Sequence, residues 1–162
     1  MSRSELLAAL EPVIDTLETL GVRYFVTGSI ASSAHGVARA SVDADIVAEL
    51  RPQHAPPLVS ALQEAFYVPE ARIRDAITRR GSFNVIHLET MLKVDVFVTK
   101  GRPFDVRAHE RARPERLAKD EERRAWLASA EDTVLAKLEW YRRGGEVSER
   151  QWCAGALGES LP

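Results

Sequence analysis

Val22-Arg23-Tyr24-Phe25-Val26-Thr27-Gly28-Ser29 and, thirteen residues further on, Asp43-Ala44-Asp45-Ile46-Val47-Ala48 are the stretch that decides how this chain folds. The β-branched and aromatic run from Val22 to Thr27 fits a strand. Gly28-Ser29 then makes a tight turn into the small-residue segment Ile30 to His35, which predicts a helix N-terminus. Ser41 to Ala48 predicts a second strand. Side chains alternate along a strand, so Asp43 and Asp45 project from one face and Ala44 and Ile46 from the other.

Neighbouring carboxylates repel unless a cation lies between them, and hard oxygen ligands suit Mg²⁺ or Mn²⁺ better than zinc. A further acid, Asp95, interrupts the apolar run Met91 to Val98, sharing a face with Lys93 and Phe97 while Val94, Val96 and Val98 take the other. If its strand lies beside that of Asp43 and Asp45, at about 5 Å, the three carboxylates converge and can bridge metal ions. Such a centre serves phosphoryl or nucleotidyl transfer. Gly28 lets the backbone approach a phosphate closely, amides at a helix N-terminus favour anionic oxygen, and Ser29 adds a hydroxyl donor.

Outward from these strands the chain alternates helical and extended patterns. Ser4 caps a helix carrying Leu6, Leu7, Leu10, Val13, Ile14, Leu17 and Leu20, ended by Gly21. Pro56 to Phe66 and Ala71 to Arg79 predict two more helices. Ser82 to Leu88 and Met91 to Thr99 predict paired strands joined at Glu89-Thr90, the length of a tight hairpin. Beyond Gly101 the pattern blurs into a short helix around Phe104 to Glu110 and a strand near Arg116-Leu117. Glu131 to Arg143 predicts a helix with Val134, Leu135, Leu138 and Tyr141 on one face, and Ser148 caps a last helix through Leu157. These patterns divide the chain into a domain over 1–128 and a C-terminal helical extension over 129–162 packed on it.

Composition limits the functional classes. With 162 residues, 45% of them hydrophobic, one core is the expectation. Twenty-two Lys and Arg stand against 24 Asp and Glu, so bulk charge does not direct the chain to nucleic acid. The Arg tract Arg107, Arg111, Arg113, Arg116, Arg123 and Arg124 is interleaved with Glu110, Glu115, Glu121 and Glu122 and reads as a salt-bridged surface. Cys153 stands alone and cannot form an internal disulfide. No run is apolar enough to span a bilayer, and Glu5 falls where a signal peptide would become apolar. The expectation is a cytoplasmic protein with no membrane partner.

The Gly28-Ser29 turn followed by Asp43-Ala44-Asp45 resembles the signature of the nucleotidyltransferase superfamily, the fold shared with DNA polymerase beta. The intervening His35-Gly36, Arg39 and Ser41 are similar to the version in small prokaryotic members, the AbiEii-like and minimal nucleotidyltransferases. The likeness spans roughly 20–100. Glu131-Asp132-Thr133-Val134-Leu135-Ala136-Lys137-Leu138 is similar to the helix after the catalytic domain in AbiEii-like proteins, which implies that Lys137 faces the nucleotide phosphates; a solvated helix face is the alternative. Where those relatives continue into an acidic segment, this chain has Arg142-Arg143-Gly144-Gly145-Glu146, so the matching acidic role is unassigned. Arg39 could meet a phosphate, pair with Asp43 or face solvent. His35 has no second His at ligand spacing and is left out of the chemistry.

The resemblance implies an α+β fold, a nucleotidyltransferase-like mixed β-sheet flanked by helices, with a C-terminal helical segment. It implies metal-dependent transfer of a nucleoside monophosphate from a nucleoside triphosphate to a hydroxyl of RNA, tRNA included, or of a protein, releasing pyrophosphate. A toxin-antitoxin or defence setting, with a partner protein, follows from the AbiEii likeness. Asp43, Asp45 and Asp95 would be catalytic and metal-binding; Gly28, Ser29, Arg39 and Lys137 would hold the nucleotide. Two rivals stand beside this: an inactive nucleotide-binding or antitoxin-like partner protein, and a metal-dependent phosphohydrolase, which the lack of clustered His ligands disfavours.

Overall fold

In a computed structural model the described residues are 3–28, 44–118 and 121–143. In chain order they form α1 (Arg3–Thr19), β1 (Tyr24–Thr27), β2 (Ala44–Ala48), a 3₁₀ turn (Pro52–His54), α2 (Ala55–Leu62), β3 (Phe66–Tyr67) and α3 (Glu70–Arg79). There follow β4 (Ser82–His87), β5 (Lys93–Val98), α4 (Pro103–Arg111), β6 (Arg113–Arg116), β7 (Arg124–Leu127) and α5 (Ala130–Arg142). The strands make one mixed sheet in the order β3-β4-β5-β2-β1-β7-β6. β2 runs parallel to β5 and β1 parallel to β7, and the other neighbours are antiparallel. This is a mixed sheet flanked by helices, as the sequence implies.

The two faces of the sheet are unlike because the strand residues alternate. Val94, Val96 and Val98 of β5, Ala44, Ile46 and Ala48 of β2 and Val26 of β1 are buried in one cluster. That cluster also takes Leu10, Ile14 and Leu17 from α1, Leu58 from α2 and Ile73 from α3. Fully burying an Ile, Leu or Val side chain contributes about 1.5–3 kcal/mol, so this layer carries the core. On the other face a smaller cluster, Phe25, Ala108, Ala112 and Ala128 with Val47 against it, packs α4 over β1. There the alternate residues of β5 stay partly open: Lys93 and Phe97 are exposed and Asp95 half-buried.

Several boundaries differ from expectation. The helix predicted to Phe66 stops at Leu62, and Phe66 instead begins β3 by pairing with His87. The β4–β5 connection is longer than Glu89-Thr90. His87 N–H donates to Leu92 C=O at 2.9 Å and Met91 turns at φ 59°, while the Thr90 hydroxyl lies 2.8 Å from His87 Nδ1. The extended segment expected near Arg116-Leu117 is β6, and its hairpin partner β7 is a strand the sequence pattern hid. The expected face of Val134, Leu135, Leu138 and Tyr141 is not the buried side of α5. Leu135 and Tyr141 are exposed, while Asp132 and Thr133 are buried. The predicted helices over 30–35 and 148–157, and Cys153, lie outside the described residues.

Candidate active site

Asp45 lies opposite Asp95 on the parallel pair β2–β5 and opposite Thr27 on the antiparallel pair β1–β2. Asp95 in turn lies opposite Asn84 of β4. Directly opposed residues share a face and stand about 5 Å apart. Thr27, Asp45, Asp95 and Asn84 therefore form one polar row across four strands, on the face away from the main core. Asp45 is 8% exposed, which leaves its carboxylate little bulk water.

Gly28 closes this row from above, directly after β1. Its φ of +73° lies in the left-handed region, and a Cβ built there would fall 2.2 Å from Asp45 Oδ2. Glycine is thus required twice: for the backbone conformation and for the space that the carboxylate occupies. The backbone and the acid are packed as one unit.

Lys137 comes to the row from α5, its Nζ 3.9 Å from Asp45 Oδ2, with both side chains largely buried. That separation is a charge contact and too long for a hydrogen bond. The helix reaches this point because β7 runs parallel to β1, with Ala128 N–H donating to Val26 C=O at 2.9 Å, and delivers the chain to a cap at Ser129. Ser129 Oγ accepts from Asp132 N–H at 3.1 Å.

Two arginines of the α4 region then hold α5 on either side of Lys137. Arg111 donates to both oxygens of buried Asp132, at 2.8 Å and 2.6 Å. Arg102 donates to Glu139 at 2.8 Å and to Asp105 at 2.9 Å and 3.1 Å. Hydrogen bonds from Arg102 hold the Glu139 carboxyl below its usual range. Burial pushes the Asp105 carboxyl up, but its hydrogen bonds with Arg102 outweigh that, and the net shift is downward. Charge-assisted bonds of this kind are short and directional, so the helix carrying Lys137 is fixed in rotation as well as position.

Of the residues singled out in the sequence, Gly28, Asp45, Asp95 and Lys137 come together at one place. Ser29, Arg39 and Asp43 lie outside the described residues. Among the described residues no group of three or more His, Cys, Asp or Glu is assembled to hold a metal, the expected third acid being Asp43. Thr27 and Asn84 went unremarked in the sequence, although each occupies the face of its acid by strand alternation. The arginine clamp had no local signal: Arg102 and Glu139 are 37 residues apart.

No protein-family model matches the sequence. No curated protein matches it either. Among solved structures the chain is similar to a protein from Thermotoga maritima described as a candidate nucleotidyltransferase, at 19% identity and a TM-score of 0.58 over 94% of both chains. It is also similar to an antigenic nucleotidyltransferase-like protein from Paracoccidioides brasiliensis, at 15% identity and a TM-score of 0.58, over 100% of this chain and 79% of that one. At such identities the likeness establishes the fold, which is nucleotidyltransferase-like.

Proposed function

We propose that the chain is a metal-dependent nucleotidyltransferase that moves a nucleoside monophosphate from a nucleoside triphosphate to a hydroxyl of RNA or protein and releases pyrophosphate. The observation that carries this reading is the register of Asp45 beside Asp95 on adjacent parallel strands, with the Gly28 backbone closed against Asp45. The fold of the two similar structures supports it. The AbiEii resemblance supports a role in a toxin-antitoxin or defence system.

The donor set fits Mg²⁺ or Mn²⁺: carboxylate oxygens side by side, one nearly buried, with a cation already drawn to them in the form of Lys137. Asp45 and Asp95, with Asp43, would hold the metal. A bound divalent ion supplies charge neutralisation at the triphosphate and lowers the pKa of an acceptor hydroxyl.

The chain's own residues do the rest. Gly28, packed against Asp45, and Ser29 after it are assigned to the nucleotide phosphates, the Ser29 hydroxyl as a donor. Lys137, held by the Arg102 and Arg111 clamps, is within reach of both the carboxylate and any phosphate placed against it, so it can neutralise charge that builds on the triphosphate. Asp95, at the outer side of the pair, takes the side of the acceptor hydroxyl and assists loss of its proton.

Isothermal titration of ATP, CTP, GTP and UTP with Mg²⁺, comparing the wild type with Asp45→Ala and Asp43→Ala, tests the reading. It predicts binding by the wild type and loss in both variants. Equal binding by all three proteins would remove the carboxylates from the site. No binding by any would favour a partner protein that keeps the fold without the activity.

A further inference from the structure

A surface helix ordinarily docks by its apolar side. α5 does the reverse. Among the described residues, none of α5 belongs to either apolar cluster of the sheet or to the partly buried side chains packed on those clusters. Its buried residues are Asp132 and Thr133, while Leu135, Trp140 and Tyr141 are exposed. Charge docks it instead. Asp132 and Glu139, seven residues apart and so on one side of the helix, take Arg111 and Arg102, and Lys137 between them reaches Asp45.

Contacts of this kind can be undone without leaving a buried charge bare. The Arg102 and Arg111 side chains are 39% and 44% exposed, so water and salt reach both pairs. When Glu139 departs, Arg102 keeps Asp105; when Arg111 departs, Asp132 keeps the Ser129 hydroxyl. A helix of 13 residues is marginal by itself in water, so α5 loses its helical hydrogen bonds once it leaves its seat. The third contact lies where a metal would. Lys137 Nζ, 3.9 Å from Asp45 Oδ2, sets one positive charge beside the carboxylate row, and both side chains are largely buried. A second cation held by Asp45 would repel it with little water between them.

We infer that α5 is a strap latched beside the carboxylate row by charge, and that a divalent cation at Asp45 releases it. The Lys137–Asp45 contact is the resting latch: it occupies the carboxylate that the cation needs, so the site stays closed to a bare metal ion until the strap lifts. The latch follows from contacts in the structure; its release by the cation rests on the metal site of the transferase reading above. Under that reading a triphosphate gives the Lys137 ammonium an anionic partner and seats the strap again.

The test is hydrogen–deuterium exchange of α5, read against α1, whose apolar side is buried in the main cluster. The conditions are low and high NaCl, MgCl₂ at the ionic strength of each, and MgCl₂ with a non-hydrolysable nucleoside triphosphate. The proteins are the wild type, Lys137→Met and the double variant Arg102→Met/Arg111→Met; should the last not fold, the salt series on the wild type tests the latch alone. High salt should speed α5 exchange about tenfold, the screening of two or three exposed or partly exposed ion pairs, and leave α1 unchanged. The double variant should exchange at the fast rate in low salt. MgCl₂ should speed α5 more than NaCl of equal ionic strength in the wild type, and no more than NaCl in Lys137→Met. Exchange of α5 that ignores salt overturns the strap. So does a wild-type response to MgCl₂ no greater than to NaCl while the triphosphate still binds with Mg²⁺ in a titration on the same preparation, and the transferase reading then stands. Release specific to Mg²⁺ with no triphosphate binding in any protein keeps the strap and overturns the transferase reading; with neither, both fall.

Discussion

Replacing Gly28 by Ala separates the two reasons for glycine at that position. The backbone term comes from φ +73°, where an L side chain costs about 1–2 kcal/mol. The steric term comes from the methyl group, which would lie 2.2 Å from Asp45 Oδ2, 3.1 Å from its Cγ and 3.3 Å from its Cβ. Three contacts on one side chain mean that Asp45 has to leave its rotamer, at about 0.5–1.5 kcal/mol, and draw away from Lys137. Gly21 is the internal control. Its φ of +68° is nearly the same, yet nothing lies within 4 Å of a Cβ built there. Gly21→Ala should therefore show the backbone term alone, a fall in Tm of about 2–8 °C, with Mn²⁺ affinity and turnover unchanged. Gly28→Ala should lose a further 0.5–1.5 kcal/mol or so by urea denaturation, and displacement of the carboxylate by about 1 Å should cost on the order of 100-fold in turnover. If the two variants were equally stable and equally active, the packing of Gly28 on Asp45 would have no bearing on the site.

Lys137→Met removes the ammonium 3.9 Å from Asp45 and leaves the two carboxylates less neutralised; Mg²⁺ alone should then raise its Tm more than it raises that of the wild type, and an equal rise would remove Lys137 from the site's charge balance. Asp105 and Glu139 are held below their ordinary values of 3.8 and 4.5, so unfolding takes up protons and the stability they give is complete above those values and lost as the pH falls through the depressed ones. Arg102→Met should flatten that acid limb in urea titrations, and amide exchange in α5 should speed up with it. His109 is buried, with Nε2 2.9 Å from the Thr99 hydroxyl and no hydrogen-bond partner for Nδ1 among the described residues, and burial lowers its pKa. Burial disfavours its charged form, so stability should decline as the pH falls below 6.5, by up to about 1.4 kcal/mol per pH unit. His109→Leu should remove that slope.

The local signals and the long-range ones fared differently. Strict alternation from Lys93 to Val98 placed Asp95 on one face and three valines on the other, and the fold has them so. The same logic would have found Asn84 between Phe83 and Val85, since a polar residue at that parity must join the row. β7 was hidden because Arg124-Ala125-Trp126-Leu127 is too short to show a period inside an Arg- and Glu-rich tract, and its pairing with β1 spans most of the chain. The loop after β4 was misjudged because Met91, not a glycine, takes the left-handed turn, held by the Thr90 and His87 side chains. The face of α5 was misread for an electrostatic reason. Its buried side is chosen by Asp132 docking on Arg111, which outweighs the apolar stripe of Leu135 and Tyr141. No periodicity could place Lys137 at Asp45; that expectation came from resemblance.

The most direct test of the central claim is a crystal structure grown with Mn²⁺ and a non-hydrolysable nucleoside triphosphate, read by anomalous scattering. The account predicts a manganese peak at ordinary metal–oxygen distance, about 2.0–2.2 Å, from carboxylate oxygens of Asp45 and Asp95, with the triphosphate against Gly28 and Lys137. Manganese and nucleotide bound elsewhere, with Lys137 still resting on Asp45, would contradict it.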